Sequence, residues 1–369
     1  MTSHRTLALI LALAVCATAP AASAVVRDPT PADLAFPHYQ HILVIVDENE
    51  GFGAVVDSPL APTITALGKE YGEAAAFYAE THPSEPNYVA MIGGSDFGIQ
   101  DDDAYYCKPG MNDPHCKGST KAGFVDHTVD APNLASQLDA AGLTWRGYFG
   151  AFDPGHSDVV FSGASATAPA ALYGSKHNPF MNFSGLRKEL PRHIFPQAQL
   201  ARDLAAGTLP NFAYIVPDQC DDMHGIKAGP RVPADCRSGP SGPRIARGDR
   251  AVKRLVDEIR SSATWKSSEN VAIVITFDEN DGAARASGRQ GCCGSDPATP
   301  ANAGGGRIPT IVITNHGPRQ MTDRTPYNHY SLLRSIEDAF GIHAYLAGAG
   351  DWRAGVRPMT RLFAVTLKT

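Results

Sequence analysis

Four short apolar runs rich in β-branched residues punctuate the chain, at 42–46, 212–216, 271–277 and 308–314. Each is continuous rather than alternating, the pattern of a strand buried on both faces, as in a parallel sheet. Between them the spacing becomes helical. Val252, Leu255, Val256 and Ile259 recur at i, i+3, i+4 and i+7 and share one helix face. Leu332, Leu333, Ile336 and Phe340 share another, with Gly341 as a stop. Residues 132–141 read as a third helix, followed by a strand at 144–149. This alternation predicts an α/β fold, three-layer α/β/α around a mostly parallel central sheet. Residues 152–200 and 218–243 lack periodicity and carry Pro, Gly, His and Asp in quantity. They read as functional loops around the mouth of a site. Gly304-Gly305-Gly306 precedes a strand and reads as a flexible lead-in.

The N-terminus changes the picture of where this fold works. Arg5 is followed by an apolar run over 7–17, and Ala22-Ser23-Ala24 offers small residues for cleavage. That order reads as a signal peptide over 1–24, leaving 25–369 as a single domain, secreted or periplasmic after cleavage. No other segment is apolar enough for a transmembrane anchor. The formal net charge of −6 offers no basic stripe, so no nucleic-acid partner is expected. Beyond the signal there are six cysteines, at 107, 116, 220, 236, 292 and 293, an even number that suits disulfides in an exported chain. Short loops favour Cys107–Cys116 and Cys220–Cys236, which leaves Cys292 and Cys293 as a vicinal pair or paired elsewhere. The CxxC spacing of a zinc cluster is absent.

In a doubly wound sheet, ligands bind beyond the carboxyl ends of the strands. The run 42–46 ends in Asp47-Glu48-Asn49, and 271–277 ends in Asp278-Glu279-Asn280-Asp281-Gly282. Adjacent acids repel unless a cation relieves them, and oxygen ligands suit a hard divalent metal ion. A third segment, Thr81-His82-Pro83-Ser84-Glu85-Pro86-Asn87-Tyr88, places Pro86 in the first turn of a helix and Ser84 just ahead of it. There a hydroxyl serves either as an N-cap or as a nucleophile beside amide groups that favour an anion.

Taken together, Thr81–Tyr88, Glu48–Phe52 and Thr276–Gly282 resemble the phosphoesterase family of secreted acid phosphatases and bacterial phospholipases C, part of the alkaline phosphatase superfamily. The resemblance runs over residues 40–341 and implies an alkaline-phosphatase-like fold. It implies Ser84 as nucleophile, passing through a phosphoserine, and Glu48, Asn49, Ser84, Asp278 and Glu279 as metal ligands. Asp222-Met223-His224-Gly225 resembles the loop that brings a histidine to the phosphate, so His224 would protonate the leaving group or bind phosphate oxygens. Lys176-His177-Asn178-Pro179-Phe180 is also similar to a family segment, and His177 or Asn178 would hold the phosphate. Asn87, Asn178 and Asp218 are the implied substrate contacts. The acidic pair Asp278-Glu279 stands where related two-zinc enzymes carry Asp-His, which leaves metal number and identity open.

The expected activity is that of an acid phosphatase-type phosphomonoesterase, acting on a phosphate-ester small molecule or lipid. A phospholipase C on phosphatidylcholine-like lipids is the alternative, with Tyr105, Tyr106, Tyr148, Phe149 and Phe152 as candidates for an aromatic cage. A non-catalytic, exported phosphate-ligand binding protein is the third reading. The chain has no room for the C-terminal extension common in the phospholipases, which favours the phosphatase. His82 reads as a residue that shapes the turn, and His329 as either a site residue or a helix start. Asn182-Phe183-Ser184 fits a glycosylation sequon.

Overall fold

A computed structural model describes residues 36–102, 127–154, 172–281, 286–295 and 303–365. The predicted signal peptide, Cys107, Cys116, Tyr105 and Tyr106 lie outside them. Among the described residues there are ten strands: β1 (His41–Asp47), β2 (Gly72–Ala74), β3 (Phe77–Tyr78), β4 (Trp145–Phe149), β5 (Ile194–Pro196), β6 (Phe212–Val216), β7 (Val271–Phe277), β8 (Ile311–Thr314), β9 (Met321–Asp323) and β10 (Tyr327–Asn328). Eight form one sheet in the order β5-β4-β6-β1-β7-β8-β2-β9, and β3 pairs with β10 in a small second sheet. From β5 through β7 every pairing is parallel.

The continuous apolar runs explain this arrangement. β1 and β7 lie at the centre, and Ile42 to Val46 and Val271 to Phe277 are almost wholly buried. Only a strand covered on both faces needs no polar alternation. The fourth predicted strand is shorter than expected, beginning at Ile311 rather than 308, and it runs antiparallel to β7. Pro309 lacks the N–H that an interior ladder needs, which accounts for the late start.

The helices fall into two packing groups. Pro62–Glu70 packs on Gly242–Ser261, and Ser84–Gly93 packs on His329–Ala339 and Leu134–Ala140. The 20-residue helix Gly242–Ser261 buries Val252, Leu255, Val256 and Ile259, the stripe its spacing predicted. Leu134–Ala140 begins with a capping box made by Asn133 and Ser136, which satisfies two orphan donors at once. Gly341 adopts φ 70 after the helix His329–Ala339, a left-handed stop that glycine takes without strain.

Cys220–Cys236 and the vicinal Cys292–Cys293 are both bonded. The first closes a small apolar cluster with Ile226 and Val232, which gives the loop beyond β6 a core of its own.

Candidate active site

Register decides where the chemistry gathers. β1 stands between β6 and β7, with Ile45 opposite both Ile215 and Ile275, and Asp47 opposite Phe277. Three strands therefore end side by side, and the residues that follow them converge, as expected beyond the carboxyl edge of a parallel sheet. The Asp278 N–H donates to the Asp47 carbonyl (3.1 Å), and the Glu48 N–H donates to the Asp222 carbonyl (2.7 Å). The Asn49 N–H donates to Asp278 Oδ1 at 2.9 Å, and its side-chain amide donates to Glu48 Oε2 at 2.6 Å. Asn49 holds φ 57, a conformation asparagine tolerates better than most residues.

Ser84 opens the helix Ser84–Gly93. The N-cap position belongs to Pro83, and no side chain caps the helix there, so the hydroxyl is free of the capping role weighed above. Instead Ser84 Oγ lies 3.3 Å from Glu48 Oε2 and 3.3 Å from Glu279 Oε1. Its residue is buried. The approach to this position is tied down by Asn87. Its Oδ1 accepts the Glu80 and Thr81 N–H groups, and its amide donates to the Thr81 and Pro83 carbonyls. Asn87 thus shapes the Ser84 loop, where the family resemblance had implied a substrate contact. Asn87→Ala removes four hydrogen bonds from a buried turn, and we expect it to cost about 2–4 kcal/mol of stability, read by urea unfolding. Asn87→Asp keeps the two acceptor bonds and should cost less.

The glycine run is a packed wall rather than a flexible lead-in. A Cβ on Gly305 would sit 2.2 Å from the Thr81 carbonyl, and one on Gly306 would sit 1.9 Å from the Asn280 amide. Gly305 accepts from the Asn280 N–H and donates to the Ala79 carbonyl. Only glycine lets this backbone press against both the serine loop and the acidic strand end.

Two histidines approach from the loops that lacked periodicity. His177 Nε2 lies 3.0 Å from Glu48 Oε1, and its Nδ1 lies 3.6 Å from Asp222 Oδ2. Its ring stacks on Tyr88 of the helix Ser84–Gly93 at 5.1 Å. His224 lies beside it, ring centroids 5.5 Å apart. Asp222 Oδ1 accepts the His224 N–H, so Asp222 braces both. His224 Nδ1 is 2.6 Å from the Gly225 carbonyl, which makes Nδ1–H the donor and leaves Nε2 bare in the neutral ring. Burial, and then the charge of Lys176, push its pKa down to about 4. In the free protein it is therefore a neutral acceptor, not a ready proton donor.

The acids respond to the same crowding. Burial lifts Asp278 well above its ordinary range, with Glu48 and Glu279 adding to the lift, and burial raises Glu279. For Glu48, burial also acts upward, but His177, Lys176 and His224 more than offset it and hold the group below the carboxylate range. Among the described residues, Glu48 Oε1, Asp278 Oδ2 and His177 Nε2 are buried and lack a hydrogen-bond partner. Glu48 Oε1 and His177 Nε2 lie close together without being aligned for a hydrogen bond. Glu48, His177 and His224 offer ligand atoms all within 4.8 Å of one another. Buried carboxylate oxygens and imidazole nitrogens at this density fit a divalent cation.

Other sequence-derived candidates are placed differently. Asn178 is buried, donates to the Tyr173 hydroxyl, and keeps Oδ1 without a hydrogen-bond partner among the described residues. Asp218 turns to the fold: its Oδ1 accepts the N–H groups of Cys220 and Asp221, a side-chain turn that starts the disulfide loop. Tyr148 and Phe149 belong to the core, and the Tyr148 hydroxyl donates to Asp203, so they cannot frame an aromatic cage. His329 follows the N-cap Asn328 and is 2.9 Å from the Phe277 carbonyl, a helix-start role. Asn182 is fully buried and donates to Glu85, so this sequon is not open to glycan.

Three residues were missed or undervalued. His82 pairs through Nδ1 with Glu279 Oε2 and through Nε2 with the Gly288 carbonyl, so it orients an acid rather than merely shaping a turn. Asp222 braces the histidines. Lys176 stands next to His177 and reaches Asp102 at 2.8 Å. The signal for all three was a charged or histidine residue next to a chosen one, which sequence alone does not separate from a solvated neighbour.

A sequence profile described as the Phosphoesterase family matches residues 61–343. A phosphatidylinositol-3-phosphatase of Mycobacterium tuberculosis is 27% identical over 341 residues, 92% of this chain and 89% of its own length. An acid phosphatase of Aspergillus fumigatus is 25% identical over 76% of this chain and 49% of its own, so the chain spans about half the length of that relative. A non-specific phospholipase C4 of Arabidopsis thaliana is 24% identical over 42% of this chain and 30% of its own. Among solved structures, a protein of the alkaline phosphatase superfamily from Vibrio parahaemolyticus superposes with a TM-score of 0.50 at 14% identity, over 85% of this chain and 69% of that one. That last likeness concerns the fold alone.

Proposed function

This chain belongs to the Phosphoesterase family and is a hydrolase of phosphate-ester bonds, and from that premise we propose that it is an exported, metal-dependent phosphomonoesterase whose nucleophile is Ser84. The observation that carries the reading is the Ser84 hydroxyl, uncapped and held 3.3 Å from each of two carboxylates, Glu48 and Glu279. A helix-capping serine would have turned back to its own backbone.

Ser84 Oγ attacks phosphorus, and its proton passes to Glu48 or Glu279. The bond from phosphorus to the alcohol oxygen breaks, the alcohol leaves with a proton from water, and a phosphoserine remains. Water then attacks phosphorus, the bond from phosphorus to Ser84 Oγ breaks, inorganic phosphate leaves, and Oγ regains the proton held on Glu48 or Glu279. His224, neutral with a bare Nε2, suits accepting a hydrogen bond from that water and so orienting it. His177 is held upright by Tyr88 and Asp222 at the edge of the same space. Glu48, Asp278, Glu279 and Ser84, with Asn49 beside them, would hold a divalent ion. When bound, such an ion supplies Lewis-acid activation of the hydroxyl and neutralises charge on the phosphoryl oxygens. The names of two relatives, a phosphatidylinositol-3-phosphatase and an acid phosphatase, support a monoester substrate. Export rests on the signal-like residues 1–24. No helix among the described residues is long and apolar enough to cross a membrane.

Hydrolysis of p-nitrophenyl phosphate beside p-nitrophenylphosphorylcholine tests the reading, with and without chelator. We expect turnover of the monoester, lost on chelation and restored by a divalent ion. Preference for the choline diester would replace it with the phospholipase reading, and turnover that survives exhaustive chelation would remove the metal.

A further inference from the structure

Asp102 joins two donors that flank the reaction centre. Its Oδ1 accepts the Glu85 N–H at 3.0 Å, and its Oδ2 accepts from Lys176 Nζ at 2.8 Å. Glu85 directly follows the nucleophile, and Lys176 directly precedes His177. Ser84 and His177 touch the two oxygens of one carboxylate, Glu48. The donors bound by Asp102 are thus the backbone next to Ser84 and a side chain next to His177, the latter close enough to act through its charge on Glu48 and Asp278. They are also of the two kinds that hold a phosphoryl group: an amide in the first turn of a helix and an ammonium. Lys176 is 6% exposed. A cation so deeply placed is costly without a counter-anion, and the Asp102 side chain, a third exposed, supplies one. Burial works against the Lys176 charge, but Asp102, with Glu48 and Asp278, holds the ammonium above its ordinary range.

We propose that Asp102 is an internal stand-in for the phosphoryl group: in the free enzyme its carboxylate occupies Lys176 Nζ and the Glu85 N–H, and oxygens of the bound phosphate displace it and take both donors. Lys176 is then a substrate-binding residue, and Asp102 sets the apparent affinity by competing for it. The protein gains a buried lysine that is never unpaired, at the cost of weaker phosphate binding. The proposal rests on the phosphoesterase reading, since it places phosphate in front of Ser84.

Binding of inorganic phosphate to the full chain, measured by calorimetry with divalent ion present, tests it without requiring turnover. Asp102→Ala frees both donors and should tighten binding roughly 10-fold, the worth of one charge-assisted hydrogen bond. Asp102→Asn, the same shape without the charge, should give a smaller gain and serves if the alanine variant folds poorly. Lys176→Met should weaken binding roughly 10-fold by the same measure. Asp101→Ala removes an equal charge one residue away, where the carboxylate faces His127 instead, and should change binding less than about 2-fold. Binding by Asp102→Ala no tighter than by Asp101→Ala, or wild-type affinity in Lys176→Met, would overturn the proposal. Failure of the unaltered chain to hydrolyse p-nitrophenyl phosphate or its choline diester counts against the parent reading, while the phosphate affinities decide this one.

Discussion

Ser84→Ala abolishes turnover and leaves the fold in place. The expected loss is at least about 10⁴-fold in kcat, the scale seen when a covalent nucleophile is removed. Stability should change by less than about 1 kcal/mol, because the hydroxyl caps nothing and its two contacts are carboxylates at 3.3 Å rather than backbone groups. The two readouts together are what make the variant informative. A wild-type melting curve with no phosphate release is the expected pair. Intact-protein mass spectrometry of the wild type, quenched in acid during turnover, should show one added phosphoryl group that the alanine variant never acquires. Retained turnover in the variant would mean that water, not Ser84, attacks phosphorus.

Glu48→Gln is the second large effect. One carboxylate meets Ser84 and Asn49 through Oε2 and His177 through Oε1. It is the one acid of the cluster that nearby cations hold below the ordinary carboxylate range despite burial. The amide keeps the shape and removes the charge, so it leaves Lys176 without that countercharge, the His177 ring without its carboxylate neighbour and Ser84 without a proton acceptor on that side. We expect kcat/KM to fall at least about 10³-fold and divalent-ion affinity to fall by more than the 10–100-fold typical of supporting residues. Metal content after dialysis and the rate with p-nitrophenyl phosphate check both. Normal metal content with normal rate would reduce Glu48 to a structural acid.

Much of this site was legible because its acids and its serine announce themselves locally. Asp47-Glu48-Asn49 and Asp278-Glu279 end apolar runs, and an apolar run has a readable end. Ser84 precedes Pro86, which marks a helix start. The supporting residues carry no such mark. Asp222 acts on His177, 45 positions away in the chain, and Asp102 acts on Lys176, 74 positions away. Their roles come from loop packing that no local spacing encodes. Asn87 and Asp218 were read as substrate contacts because a motif surrounds them, yet backbone groups within a few residues take up Asn87 on both sides of its amide and one oxygen of Asp218. Short polar side chains compete for their own backbone as readily as for a ligand.

By itself the sequence determined the layer order, the parallel core and the acidic strand ends, since burial on both faces demands unbroken apolar runs and polar residues can follow only where the strand leaves the core. Tertiary structure alone decided that β6, β1 and β7 are neighbours, that the Ser84 hydroxyl points at Glu48 and Glu279 instead of capping its helix, and that Gly304 to Gly306 form a close-packed wall. Those outcomes depend on which distant surfaces meet and how closely. A hydroxyl, a carboxylate or a glycine reads the same along the chain whether its partner is water, its own backbone or a residue two hundred positions away.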